Sequence, residues 1–105
     1  MLTAGEIDAL VARVVERMRP QQVIVFGSYA KGTAHPGSDL DLCVIVETPL
    51  PLVRRADALR PLLASCLVPV DVHIHTPGEM REYGKEPHSF LNSVLASGKV
   101  MFSAT

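Results

Sequence analysis

The chain has 105 residues, with 10 Lys+Arg against 11 Asp+Glu and a formal net charge of −1. That length suits one small domain, and the balanced charge argues against a generic grip on nucleic acid, which needs a basic excess gathered on one face. With 48% hydrophobic residues, a mean hydropathy of +0.24 and no run near the roughly 20 apolar residues of a bilayer-spanning helix, the sequence excludes a disordered chain and a helical membrane span.

Thr3-Ala4-Gly5-Glu6 has the form of a capping box, so a helix begins here. Ile7, Leu10, Val11, Val14 and Met18 recur at three- and four-residue steps along it, and Pro20 marks its end. Val23-Ile24-Val25-Phe26 is short, β-branched and closed by Gly27, the pattern of a buried strand. Residues 28–38 carry loop chemistry, with room for one helical turn at Ser28 to Lys31. Asp39 to Val46 follows as a second strand, with Leu40, Leu42, Val44 and Val46 on one face and Asp39, Asp41, Cys43 and Ile45 on the other. Pro49 and Pro51 open a helical segment carrying Leu52, Ala56, Leu59 and Leu63, which Pro61 either kinks or splits. Val68, Val70, Val72 and Ile74 alternate with Pro69, Asp71, His73 and His75 in a third strand, with Asp71 on its polar face.

Thr76-Pro77-Gly78 punctuates the chain, and a short helix covers Glu79 to Tyr83. Ser89 to Ala96 reads as a helix stopped by Gly98, and Lys99 to Phe102 as a last strand. Strands and helices alternate without repeats, low-complexity tracts or long linkers, so the expected class is α/β or α+β, in one domain over residues 1–105. Without tryptophan and with only five Phe+Tyr, the core must be aliphatic. Cys43 and Cys66 make no disulfide framework, and MLTAGEIDAL lacks the basic stretch and apolar run of a leader, so the expectation is a cytoplasmic protein with reduced thiols.

The segment from Gly27 to Leu42 carries the chemistry. A glycine and a serine after a buried strand, at the start of a helical turn, place backbone amides and a hydroxyl where a phosphate can bind, and Lys31 can add a positive charge. Gly32 lets the backbone turn or approach a ligand closely. Asp39 and Asp41, about 6.5–7 Å apart along a strand, lean to one side and need a counter-ion. Hard oxygen ligands select Mg²⁺ or Mn²⁺, with a nucleotide completing the shell, and Asp71 can supply a third carboxylate for a two-metal displacement at phosphorus.

Gly-Ser, a ten-residue spacer from Tyr29 to Ser38, then Asp-x-Asp resembles the nucleotidyltransferase signature of the DNA polymerase beta superfamily. Nearly the whole chain looks like the minimal nucleotidyltransferase (MNT) branch. The resemblance implies a small mixed sheet with helices mainly on one face. It assigns Gly27 and Ser28 to the nucleotide phosphates, with Lys31 and Ser38 as further nucleotide-binding candidates, and Asp39, Asp41 and Asp71 to metal binding and catalysis. It further implies ATP as substrate, Mg²⁺ or Mn²⁺ as cofactor and a helical HEPN toxin as partner. AMP would pass to a toxin tyrosine, making the chain the antitoxin of a type VII-like pair. A homodimer or a hetero-oligomer with the toxin fits the same reading, with no direct nucleic-acid or membrane binding.

Two rival functions stand beside it: an antitoxin that neutralises by binding alone, and a transferase acting on a small molecule such as an aminoglycoside. Individual residues carry alternatives too. His73-x-His75 has no third partner at zinc-ligand spacing, so both histidines are expected to face solvent or the toxin. Tyr29 either stacks on the base or fills a crevice beneath the loop. Arg54, Arg55 and Arg60 read as a solvated face with local ion pairs to Asp57. Cys43 is expected in the core and Cys66 on a helix face.

Overall fold

The computed structural model describes residues 1–104. Helix α1 (Ala4–Met18) starts on the predicted capping box: the Thr3 hydroxyl accepts from Glu6 N–H at 3.1 Å and the Glu6 carboxylate accepts from Thr3 N–H at 2.8 Å. Its stripe of Ile7, Leu10, Val11 and Val14 is buried. No helix among the described residues is long and apolar enough to cross a membrane.

Strands β1 (Gln22–Phe26), β2 (Leu40–Ile45), β3 (Val70–His75) and β4 (Lys99–Ser103) form one sheet in the order β3-β2-β1-β4. β1 is antiparallel to both β2 and β4, whereas β3 lies parallel to β2. A parallel pair needs a long crossover, supplied here by the segment between β2 and β3. Because side chains alternate along each strand, the sheet splits its residues between two cores. Val23, Val25, Leu40, Leu42, Val44 and Ile74 pack under α1 with Leu59 and Leu62 of the crossover, in the larger core. Ile24, Cys43 and Ile45 meet Leu91 and Val94 on the opposite face, in a smaller one. This is the expected mixed sheet with its helices weighted to one face.

The crossover resolves the question posed by Pro61. Two single turns of 3₁₀ helix, Leu52–Arg54 and Asp57–Leu59, lead into helix α3 (Arg60–Leu63), so Pro61 sits in a first turn, where its missing N–H costs nothing, and no continuous helix spans 51–65. Leu59 and Leu62 are buried but Leu52 is 59% exposed. Cys66 falls just beyond α3 rather than on a helix face. β2 begins at Leu40, leaving Asp39 at the loop–strand junction, and β3 begins at Val70 rather than Val68. Helix α4 (Pro77–Tyr83) starts two residues before the expected Glu79, and α5 (Phe90–Ser97) is capped by the Ser89 hydroxyl, which accepts from Asn92 N–H at 3.0 Å. Gly98 ends α5 in an extended, not left-handed, conformation, and a Cβ there would overlap the Val94 carbonyl and Ile24.

Arg55 departs from the expected solvated face. Arg54 and Arg60 do pair with Asp57 in the open, each at 3.1 Å. The Arg55 side chain, only 10% exposed, instead reaches α4, where Nη1 and Nη2 donate to the two Glu79 oxygens at 2.6 and 3.1 Å. Its Nε donates to the Leu50 carbonyl at 2.9 Å and Nη1 also to the Ile74 carbonyl at 3.3 Å, so one guanidinium ties the crossover to the end of β3 and to α4. Glu79 also accepts from Thr76 N–H at 2.9 Å, completing a second capping box.

The Arg55 guanidinium is the main reason the Glu79 carboxyl falls from its ordinary 4.5 to about 2. A depressed acid stabilises the fold above its unfolded pKa, and that contribution is lost as pH falls from about 4.5 toward 2. Arg55→Met is therefore expected to cost about 2 kcal/mol at pH 7, less than the roughly 3–5 kcal/mol of a fully buried pair because Glu79 is 29% exposed. The difference from wild type in urea unfolding should shrink as pH drops through that window.

Candidate active site

β1 ends at Phe26, which is paired directly with Asp41 of β2. The next residue, Gly27, turns the chain away with φ 72° and ψ −148°, a region open essentially to glycine. A Cβ at Gly27 would overlap the Asp41 carboxylate. Backbone and acid are thus packed together at the sheet end, and the eleven residues between Gly27 and Asp39 return the chain to the place it left. Helix α2 (Ser28–Lys31) starts there, with the Gly27 carbonyl accepting from Ala30 and Lys31 N–H at 3.1 Å each. The first amides of a helix have no intrahelical partner, so those of Ser28 and Tyr29 are the donors available for an anion.

The returning half of the loop is locked by its own hydrogen bonds. The Ser38 hydroxyl accepts from His35 N–H at 2.9 Å, Ser38 N–H donates to the His35 carbonyl at 2.8 Å, and His35 Nδ1 accepts from Gly37 N–H at 3.1 Å. Ser38 is buried, and its immediate work is to hold this turn. Lys31 is exposed at the end of α2. Tyr29 packs inward against the larger core and its hydroxyl accepts from Leu2 N–H at 2.9 Å, so it fills the crevice beneath the loop. It also walls a cavity of about 370 Å³, shared with Ile7, Val25 and Met101 on the α1 side of the sheet, away from the carboxylates.

The parallel register places Asp71 of β3 beside Asp41. Both point from the same face, on strands about 4.8 Å apart. The Asp41 carboxyl is raised above its ordinary range, first by burial and then by the charges of Asp71 and Asp39, with His73 opposing them. Asp41 and Asp71 are register partners on adjacent strands, and the charge of Asp39 at the loop junction also reaches Asp41. Among the described residues no three His, Cys, Asp or Glu side chains form a ready-made metal cage. Mg²⁺ does not require one, since it is usually held by one or two carboxylates together with substrate phosphates and water. Crowded hard-oxygen donors that repel one another fit that kind of site.

The two histidines differ: the His73 side chain keeps 37% of its surface exposed, as expected, whereas His75 is largely covered. His73 lies between aromatic rings, 5.6 Å from Phe26 and 4.8 Å from Phe90 between centroids, with its Nε2 3.6 Å from the Asp71 carboxylate. His75, 18% exposed, sits 3.4 Å from Glu79 and 6.1 Å from Phe90, and burial lowers its pKa despite the neighbouring acid. Cys43 is fully buried beside the carboxylates, and burial pushes its thiol up to about 12, so it is an inert core residue, as expected. Phe26 and Phe90 belong to the surroundings of the site without any sequence signal. Glu79 had one: Thr76-x-x-Glu79 repeats the form of Thr3-x-x-Glu6.

The fold has relatives among known structures. A toxin–antitoxin crystal structure with AMP-PNP superimposes with a TM-score of 0.66 at 22% identity, over 93% of this chain and 74% of the other. A structure from Sulfolobus solfataricus, solved as that of a nucleotidyltransferase candidate, gives 0.66 at 17% identity, over 93% and 78%. The Shewanella oneidensis MNT antitoxin complex with its tri-AMPylated HEPN toxin gives 0.55 at 19% identity, over 90% and 71%. No curated protein matches the sequence. The family model of the nucleotidyltransferase domain matches residues 7–99, almost the whole described fold, and the chain belongs to that family.

Proposed function

We propose that this chain is a metal-dependent nucleotidyltransferase that moves AMP from ATP to a tyrosine hydroxyl of a helical HEPN toxin, and so acts as that toxin's antitoxin. The observation that carries the proposal is the fit of Gly27 against the Asp41 carboxylate with Asp71 in register beside it: a phosphate-accepting turn and a carboxylate cluster built into one another. The likeness to structures described as toxin–antitoxin and as MNT with HEPN toxin supports the choice of partner.

In this reading the amides of Ser28 and Tyr29 and the Ser28 hydroxyl bind the phosphates, and Lys31 adds charge from the end of α2. Asp39, Asp41 and Asp71 would hold Mg²⁺ or Mn²⁺, which when bound neutralises phosphate oxygens and the leaving pyrophosphate. Asp71, 64% exposed on the outer strand β3, is proposed as the base that meets the incoming acceptor. It takes the hydroxyl proton as the oxygen bonds to the α-phosphorus and the α–β phosphoanhydride bond breaks, its electrons leaving with pyrophosphate. Co-expression of a HEPN toxin with the double variant Asp39→Asn/Asp41→Asn tests the proposal. Toxicity should return although the variant folds and still binds toxin; continued neutralisation would favour occlusion instead.

A further inference from the structure

Beside the carboxylates, on the same sheet face, lies an aromatic strip that the chemistry described so far does not use. It runs from Asp71 through His73 to Phe90, by the 3.6 Å approach of His73 to Asp71 and the 4.8 Å separation of the His73 and Phe90 rings. Phe26 stands edge-on to Phe90 at 5.3 Å and 81°, fixing its orientation from beneath. The backbone is fixed as well, since Phe90 opens α5 directly after the Ser89 cap, whose hydroxyl also donates to the Tyr83 carbonyl at 2.7 Å. Held this firmly, Phe90 is nonetheless 41% exposed, and the His73 side chain 37%. A ring needed only to fill the smaller core would be covered, as Leu91 and Val94 of the same helix are.

We propose that Phe90, with His73, is the surface on which the aromatic ring of the acceptor lies, making Phe90 a positioning and specificity residue for a phenolic hydroxyl. The inference rests on the proposed transfer to a tyrosine hydroxyl and adds the residues of this chain that would hold the acceptor's ring. An acceptor whose oxygen meets Asp71 must lay the next part of its side chain over the adjacent residues of β3 and whatever packs on them. Those are His73 and Phe90, spaced for stacking at centroid distances of about 4.5–7 Å. Serine or threonine would leave the strip bare. Phe26, which touches both rings, directly precedes Gly27, so the strip also borders that turn; the approach of His73 to Asp71, the proposed base, is what favours the acceptor's ring over the nucleobase.

The test uses the full chain and a binding readout separate from transfer. N-acetyl-tyrosinamide, N-acetyl-leucinamide and AMP are titrated while the ring resonances of His73 and Phe90 are followed by NMR. The tyrosine probe should shift both rings, the leucine probe should not, and Phe90→Ala should weaken the tyrosine probe about three- to tenfold, the worth of one aromatic contact. Phe90→Tyr should restore binding, and unchanged unfolding midpoints show that both variants fold. Shifts caused by AMP but not by the tyrosine probe, or an affinity indifferent to Phe90→Ala, would overturn the proposal. Tyrosine binding at Phe90 in a protein that transfers no AMP would uphold the strip while removing the transferase reading.

Discussion

Gly27→Ala is expected to destabilise the fold and abolish nucleotide transfer together, because one methyl group meets two separate obstacles. The backbone at φ 72°, ψ −148° costs a non-glycine residue about 1–3 kcal/mol. The added Cβ also occupies the space of the Asp41 carboxylate, so relief requires moving either the turn proposed to bind phosphate or the acid beside it. Gly32→Ala is the matched control. Gly32 has nearly the same φ, 73°, but nothing lies within 4 Å of its added Cβ. It should lose about 1 kcal/mol to the left-handed backbone while keeping most of the activity. Urea midpoints and ATP-dependent transfer on the two variants separate strain from site damage.

Asp41→Asn should lower transfer by at least about 10²- to 10³-fold, the range for removing one preorganised charge-stabilising group, and yet raise the unfolding midpoint at pH 7. The sign follows from its raised pKa. Burial, then Asp71 and Asp39, disfavour the ionised carboxylate in the folded chain relative to the unfolded one. The folded state therefore carries a penalty that grows as pH rises from the unfolded pKa through the folded one, and vanishes in acid. Asparagine removes the charge at nearly constant shape, so the gain should be present at pH 7 and fade below pH 4.

Much of the candidate site's layout was legible because strands have a rigid period of two. Once Asp41 and Asp71 are placed in strands, their faces follow, and the Gly-Ser and Asp-x-Asp elements sit at the ends of a strand–loop–strand unit. That Asp41 and Asp71 are register partners depends on the crossover between β2 and β3, whose length constrains the pairing without setting it. Arg55 shows the opposite limit. In sequence it is one of three arginines around Asp57, and only the broken path of the crossover turns it inward to Glu79, 24 residues away. His73 and His75 alternate as exposed polar residues should, but the start of α5 brings the Phe90 ring against both of them, a contact across the fold with no local signal. Thr76-Pro77-Gly78 reads as punctuation, although proline is well suited to a helix's first turn and Glu79 completes a capping box. Tyr29 turned inward because α2 presents it to the start of α1, a tertiary contact without a local signature.

The central claim is tested most directly by intact mass. A HEPN toxin is incubated with this chain, ATP and Mg²⁺, with the Asp39→Asn variant as control. The account predicts a toxin mass increased by one or more AMP units with the wild-type chain and unchanged with the variant. An unmodified toxin, despite a stable complex between the two proteins, would contradict it and reduce Asp39 and Asp41 to a binding site.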